Sequence, residues 1–160
     1  GASVNQGASK TLEAIGLIEY LKGGEHGWDN LHGKVYAETD PAKQGHLRKQ
    51  ATISDFYFGS VHALTETGEM LIASNTGSQL PGLAFSAQNP LLVVGAQKIV
   101  PDLATAFERL KTHVIPLEDV NMLTKYNMHT AHNKSLILHK ENPMMGRKVR
   151  VLIVKEALGF

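Results

Sequence analysis

An α/β domain with a largely parallel sheet is the fold class this sequence predicts, and three observations predict it. Leu91-Leu92-Val93-Val94 is a short apolar run of the kind found in a strand covered on both faces. Behind Pro101-Asp102, Leu103, Ala106, Phe107 and Leu110 recur at i, i+3, i+4 and i+7, the spacing of an amphipathic helix. Two strand-like runs flank Thr67-Gly68, which inserts an antiparallel hairpin. With 160 residues, 42% hydrophobic and 19% charged, residues 1–160 read as a single domain large enough to bury a core.

In chain order, Ala2 to Val4 reads as the end of a strand and Asn5 to Ser9 as a turn into a helix with Ser9 as its N-cap. From Thr11 to Leu21 the residues Leu12, Ile15, Ile18 and Leu21 form one apolar face, and Gly23-Gly24 stops it. The unpaired N–H groups at the start of that helix can receive an anion, although an ordinary strand-turn-helix join explains the pattern better. Glu25 to Thr39 shows no clean period and reads as a loop. Asp40-Pro41 opens a polar helix to about Ala51, whose Lys43, His46, Arg48 and Lys49 suit a solvated face better than a phosphate patch.

Ser54 to Thr65 reads as one strand and Glu69 to Ala73 as the second arm of the hairpin. Gln79 to Phe85 reads as a short helix after Pro81, Val114 to Leu117 as a brief strand, and Glu118 to Tyr126 as another helix. Leu136 to Leu138 and Val149 to Val154 close the chain as strands, and no internal repeat or low-complexity tract interrupts it.

Sixteen Lys and Arg against fifteen Asp and Glu leave no electrostatic mandate for nucleic acid or an anionic membrane. The absence of cysteine excludes thiol catalysis, disulfides and cysteine-held metal or iron-sulfur clusters from this chain. No apolar run reaches the length of a membrane helix and no signal peptide opens the sequence, so the expected location is cytoplasmic.

Candidate chemistry gathers in polar turns. Asn75, Thr76, Gly77 and Ser78 offer an amide, two hydroxyls and a glycine that lets backbone approach a ligand. Neither a Walker loop nor a dinucleotide fingerprint is present. Glu66 is the carboxylate nearest these turns and can serve as nucleophile or base if buried, or sit inert in solvent. Lys98, after the Val93-Val94 strand, stands where ligands of open α/β sheets collect, but is equally placed to be a surface lysine. His62 alternates along a strand and reads as structural. The pair His129 and His132 lacks an intervening glutamate and reads as loop rather than a metal site. Ser60, Ser74 and Ser78 have no nucleophile elbow around them.

The blocks Gly59 to Ala63, Thr65-Glu66, Ala73 to Pro81, Val94 to Val100 and the terminal Val154-Lys155-Glu156 with Leu158-Gly159-Phe160 closely resemble the LUD-domain family, which includes lactate utilization protein C. A fainter match runs through Ser9 to Leu12 and Gly16. The resemblance implies a three-layer α/β/α fold with a mainly parallel sheet, like that of NagB, RpiA and the CoA transferases. It also implies a part in oxidising L-lactate to pyruvate beside partner subunits that carry the iron-sulfur clusters, with no cofactor in this chain. Relatives carry an additional stretch before the part matched by Ala2, so an N-terminal helix and strand are expected to be missing here. Many relatives have a small residue where this chain has Glu69, which is expected to alter the pocket.

The expected site comprises Glu66, Thr67, Gly68, Asn75, Thr76, Gly77, Ser78, Gln97 and Lys98, with Ser9 at its margin, around a small carboxylate or phosphate. The leading expectation is a ligand-binding accessory component of lactate oxidation. The alternatives are a transferase or isomerase using Glu66 on a phosphorylated or CoA-linked acid, and a scaffold for iron-sulfur subunits. A homo-oligomer is compatible with each.

Overall fold

A computed structural model describes residues 1–160. Five strands form an all-parallel sheet in the order β2-β1-β3-β6-β9: β1 (Ser3–Gln6), β2 (Asp29–Asn30), β3 (Phe56–Gly59), β6 (Asn89–Gly95) and β9 (Arg150–Val154). A second, mixed sheet has the order β7-β4-β5-β8, from β4 (Ala63–Thr65), β5 (Met70–Ser74), β7 (Ile99–Val100) and β8 (Lys134–Leu138). Its β4–β5 hairpin is the expected one, closed by the Gly68 N–H on the Thr65 carbonyl at 3.0 Å.

The two-residue period of the strands explains how the layers stack. Along β6, Val93 faces Leu12 of helix α1 (Lys10–Ala14) and Leu158, whereas Leu92 and Val94 pack with Met70 and Ile72 of the second sheet. On β5 the alternate Leu71 points the other way, onto Ala106 of helix α5 (Leu103–Arg109) with Leu110 and Val114. Helices therefore cover both outer faces, as the α/β/α expectation required, and the β layer between them is doubled by the hairpin sheet. No helix is long and apolar enough to cross a membrane.

Several elements differ from the sequence expectation. The helix read from Thr11 to Leu21 breaks at Gly16, whose φ of 76° starts a second helix, α2 (Leu17–Gly23). Within the expected loop lies helix α3 (Leu31–Ala37): the Asn30 side chain caps the Gly33 N–H at 3.0 Å and Val35 is buried. Gly33 and the scarcity of apolar residues in this short helix hide the period that tertiary burial supplies. Helix α4 (Pro41–Gln50) is capped by Asp40 as expected.

The single strand read from Ser54 to Thr65 is two strands in different sheets, because the chain leaves the parallel sheet after Gly59 to start the hairpin. Val114 to Leu117 is not a strand. A π-helical turn, Leu110–Val114, joins α5 to α6 (Ile115–Tyr126) and places Pro116 in the first turn of α6. Burial of Leu110 and Val114 on the hairpin sheet outweighs the β-branched character of the run. The helix expected after Pro81 is a π-helical turn, Gly82–Ser86.

Candidate functional site

The chain runs outward from β1 to β2 and then returns to β3 on the other side of β1, so the strand order reverses between β1 and β3. Parallel sheets open a crevice at the carboxyl ends of their strands at such a reversal. Here the end of β1, the loop after it and the first turn of α1 bring Gln6, Ser9 and Thr11, the β3–β4 connection brings Ser60 and His62, and the turn after β6 brings Lys98. These residues line a cleft of about 530 Å³ whose wall also includes the Leu110–Val114 turn and α6.

Lys98 is 4% exposed. Its ammonium donates to Thr11 Oγ1 at 2.8 Å and Ser60 Oγ at 3.2 Å. An ammonium has three donors, so one remains for a ligand. The ion pairs of the protein all lie elsewhere, which leaves this buried cation without a carboxylate. Burial, and then the Arg109 guanidinium, lower its pKa from 10.5 to about 8, so it stays charged at neutral pH. Thr11 is itself fully buried, and donates its proton to the Leu158 carbonyl at 3.1 Å.

His62 accepts the Ala73 N–H at Nδ1, 3.0 Å away, which assigns the proton of the neutral ring to Nε2. Burial, then Lys98, Arg109 and His132, lower its pKa to about 4. The ring is therefore a neutral donor on the cleft wall. Gln6, 7% exposed, presents a buried Oε1 with no hydrogen-bond partner. Together the floor offers a cation, an imidazole N–H and an orphan acceptor, a set suited to a carboxylate or phosphate that also carries a hydroxyl.

Of the residues expected at the site, Ser9, Asn75, Thr76, Ser78 and Lys98 line this cleft. Glu66, Thr67, Gly68, Gly77 and Gln97 do not. Glu66 is exposed in the hairpin turn, at the opposite end of β4 from His62. In the same turn Glu69 accepts the Thr65 and Thr67 hydroxyls, which pull its pKa to about 2. Its place is in the turn rather than in the pocket. Gln97 donates to the Leu158 carbonyl at 2.9 Å and ties down the C-terminal segment.

The expected anion nest is closed by its own side chains. The Gly77 N–H goes to Ser74 Oγ at 2.9 Å and the Ser78 N–H to Thr76 Oγ1 at 3.3 Å. Ser9 caps the Leu12 N–H at 3.3 Å, but α1 has five residues and a correspondingly small dipole. Gln6, Thr11 and Ser60 were not legible as site residues. For Gln6 the signal was the turn composition between Val4 and Lys10, which marks the end of the first strand of a parallel sheet, and for Thr11 and Ser60 it was their place in the blocks Ser9 to Leu12 and Gly59 to Ala63.

No three His, Cys, Asp or Glu side chains gather where they could hold a metal ion. His129 pairs with Asp119 at 2.8 Å, while His132 shares a hydrogen bond with Ser135 at 2.6 Å, so the two rings face different partners.

Among solved structures, the chain is similar to a DUF162 family protein from Deinococcus radiodurans, at 12% identity and a TM-score of 0.47, with 96% of this chain and 87% of that chain covered. No curated protein matches it. The family model described as LUD domain matches residues 1–154. From its first strand to its last, then, this chain belongs to the LUD-domain family.

Proposed function

We propose that this chain is a ligand-binding, accessory component of a cytoplasmic system that oxidises L-lactate to pyruvate. Its cleft receives a small organic acid. The observation that carries the reading is Lys98, a buried ammonium on the cleft that forms an ion pair with no carboxylate. Burying an uncompensated charge is costly, and an anionic ligand supplies the missing partner. The family tie supports the lactate pathway, and partner subunits carry the iron-sulfur clusters that a chain without cysteine does not hold.

Calorimetric titration with L-lactate, pyruvate, inorganic phosphate, nucleotides and CoA esters tests the reading. One or more of the acids binds, and Lys98→Met weakens that binding by at least tenfold. Absence of binding by every anion, or an unchanged Kd in Lys98→Met, rejects it.

A further inference from the structure

The cleft is far larger than a three-carbon acid. At about 30 Å³ per water, its 530 Å³ hold on the order of eighteen waters, and the six bonded heavy atoms of lactate replace only about four of them. The remaining space has a directed lining. Leu110, Val114, Glu118, Met122 and Tyr126, at every fourth position of the continuous helix, all line the cleft. Residues four apart share a helix face, so they form one track. Its inner end is closed, with Leu110 2% and Val114 3% exposed, and its outer end opens at Tyr126, 59% exposed.

Glu118 interrupts the apolar track at its midpoint. Its carboxylate accepts from Asn121 Nδ2 at 3.0 Å, and Lys10, Lys125 and Glu13 are the other charged groups around it. Both lysines are already held by Glu13, at 2.9 and 3.0 Å, so a second acid group on a ligand meets a carboxylate at this position. Gln6, which lines the same cleft, carries the one other feature in need of a partner, the buried acceptor Oε1.

We infer that the ligand is a monocarboxylic α-hydroxy acid with an apolar side chain of several carbons. Its carboxylate rests on Lys98, its hydroxyl donates to Gln6, and its chain lies along Val114 and Met122. This inference rests on the proposed anion site and specifies what that site prefers. Lactate is then the smallest member of the series that fits.

The test is a calorimetric series on the full chain with L-lactate, α-hydroxybutanoate, α-hydroxyhexanoate, α-hydroxyoctanoate and the diacid α-hydroxyadipate. Kd is expected to fall by up to about fourfold for each added methylene, the transfer free energy of a buried CH2. Met122→Asp, checked for retained secondary structure by circular dichroism, flattens this slope. Glu118→Gln selectively improves the diacid relative to α-hydroxyhexanoate. If lactate binds but Kd does not fall with chain length, the chain-length inference is overturned and the anion site stands. If no acid of any length binds, the anion site itself is overturned and this inference with it.

Discussion

The Lys98 ammonium and the Thr11 hydroxyl meet at 2.8 Å, joining the turn after β6 to the first helix. The same hydroxyl donates to Leu158, so one buried atom links three distant segments of the chain. Thr11→Val keeps the shape and removes both bonds. It is expected to destabilise the fold by about 2–4 kcal/mol, since a buried cation and a carbonyl each lose a partner. Urea unfolding measures the loss, and an unchanged midpoint counts against the arrangement.

Anion binding is expected to follow the protonation of Lys98. Below about pH 8 the ammonium is charged and affinity is flat; above it, affinity falls by up to tenfold per pH unit. Stability moves the other way. Between about 8 and the ordinary value of 10.5 the unfolded chain holds a proton that the folded chain has released, so stability rises with pH there. Affinity and urea midpoints measured from pH 7 to 10 on wild type and Lys98→Met separate the two trends.

His62 governs the acid side. Its folded pKa of about 4 lies below the ordinary 6.5, so its contribution is present above pH 6.5 and is lost as pH falls through 4. In that window the unfolded chain binds the extra proton. The urea midpoint of His62→Gln should therefore fall less steeply between pH 6.5 and 4 than that of the wild type. Parallel slopes in the two proteins argue against a buried neutral ring.

Glu66→Gln is expected to leave anion affinity unchanged within twofold, because Glu66 is exposed in the hairpin turn and lies outside the cleft. A large loss of binding in this variant would bring Glu66 back to the site and favour a carboxylate-dependent reaction.

Arg147 holds a different junction. It is 7% exposed, donates to the carbonyls of Ala87 at 2.8 Å and Gly82 at 3.0 Å, and also bonds Leu83 and Glu141. These bonds clamp both ends of the π-helical turn, whose Gly82 carbonyl also accepts the Ala87 N–H at 3.3 Å. Arg147→Met removes these bonds and leaves Glu141 without its partner, and a loss of about 3 kcal/mol is expected in thermal or urea unfolding.

Local chemistry made several parts of this protein legible in its sequence. Asp40, Asp102 and Ser9 cap helices because a short oxygen-bearing side chain reaches the free N–H groups of the first turn. Thr67-Gly68 turns the hairpin, with Gly68 at a φ of 102° that favours glycine. Lys98 was recognisable because a residue following a buried parallel strand stands at the binding edge of the sheet. Each of these depends on residues close together in the chain.

The sequence by itself determined the α/β class, the inserted hairpin, the principal caps and one cation of the site. Only the tertiary structure decided that Ser54 to Thr65 divides between two sheets, that Glu66 and Gln97 lie outside the cleft, that Thr11 and Ser60 bind Lys98, and that Gln6 and His62 line the same cleft. The reason is physical. Capping and turn formation are governed by neighbours a few residues apart, whereas the Lys98–Thr11 bond spans 87 positions and forms only when packing of Leu12, Val93 and Leu158 brings its ends together.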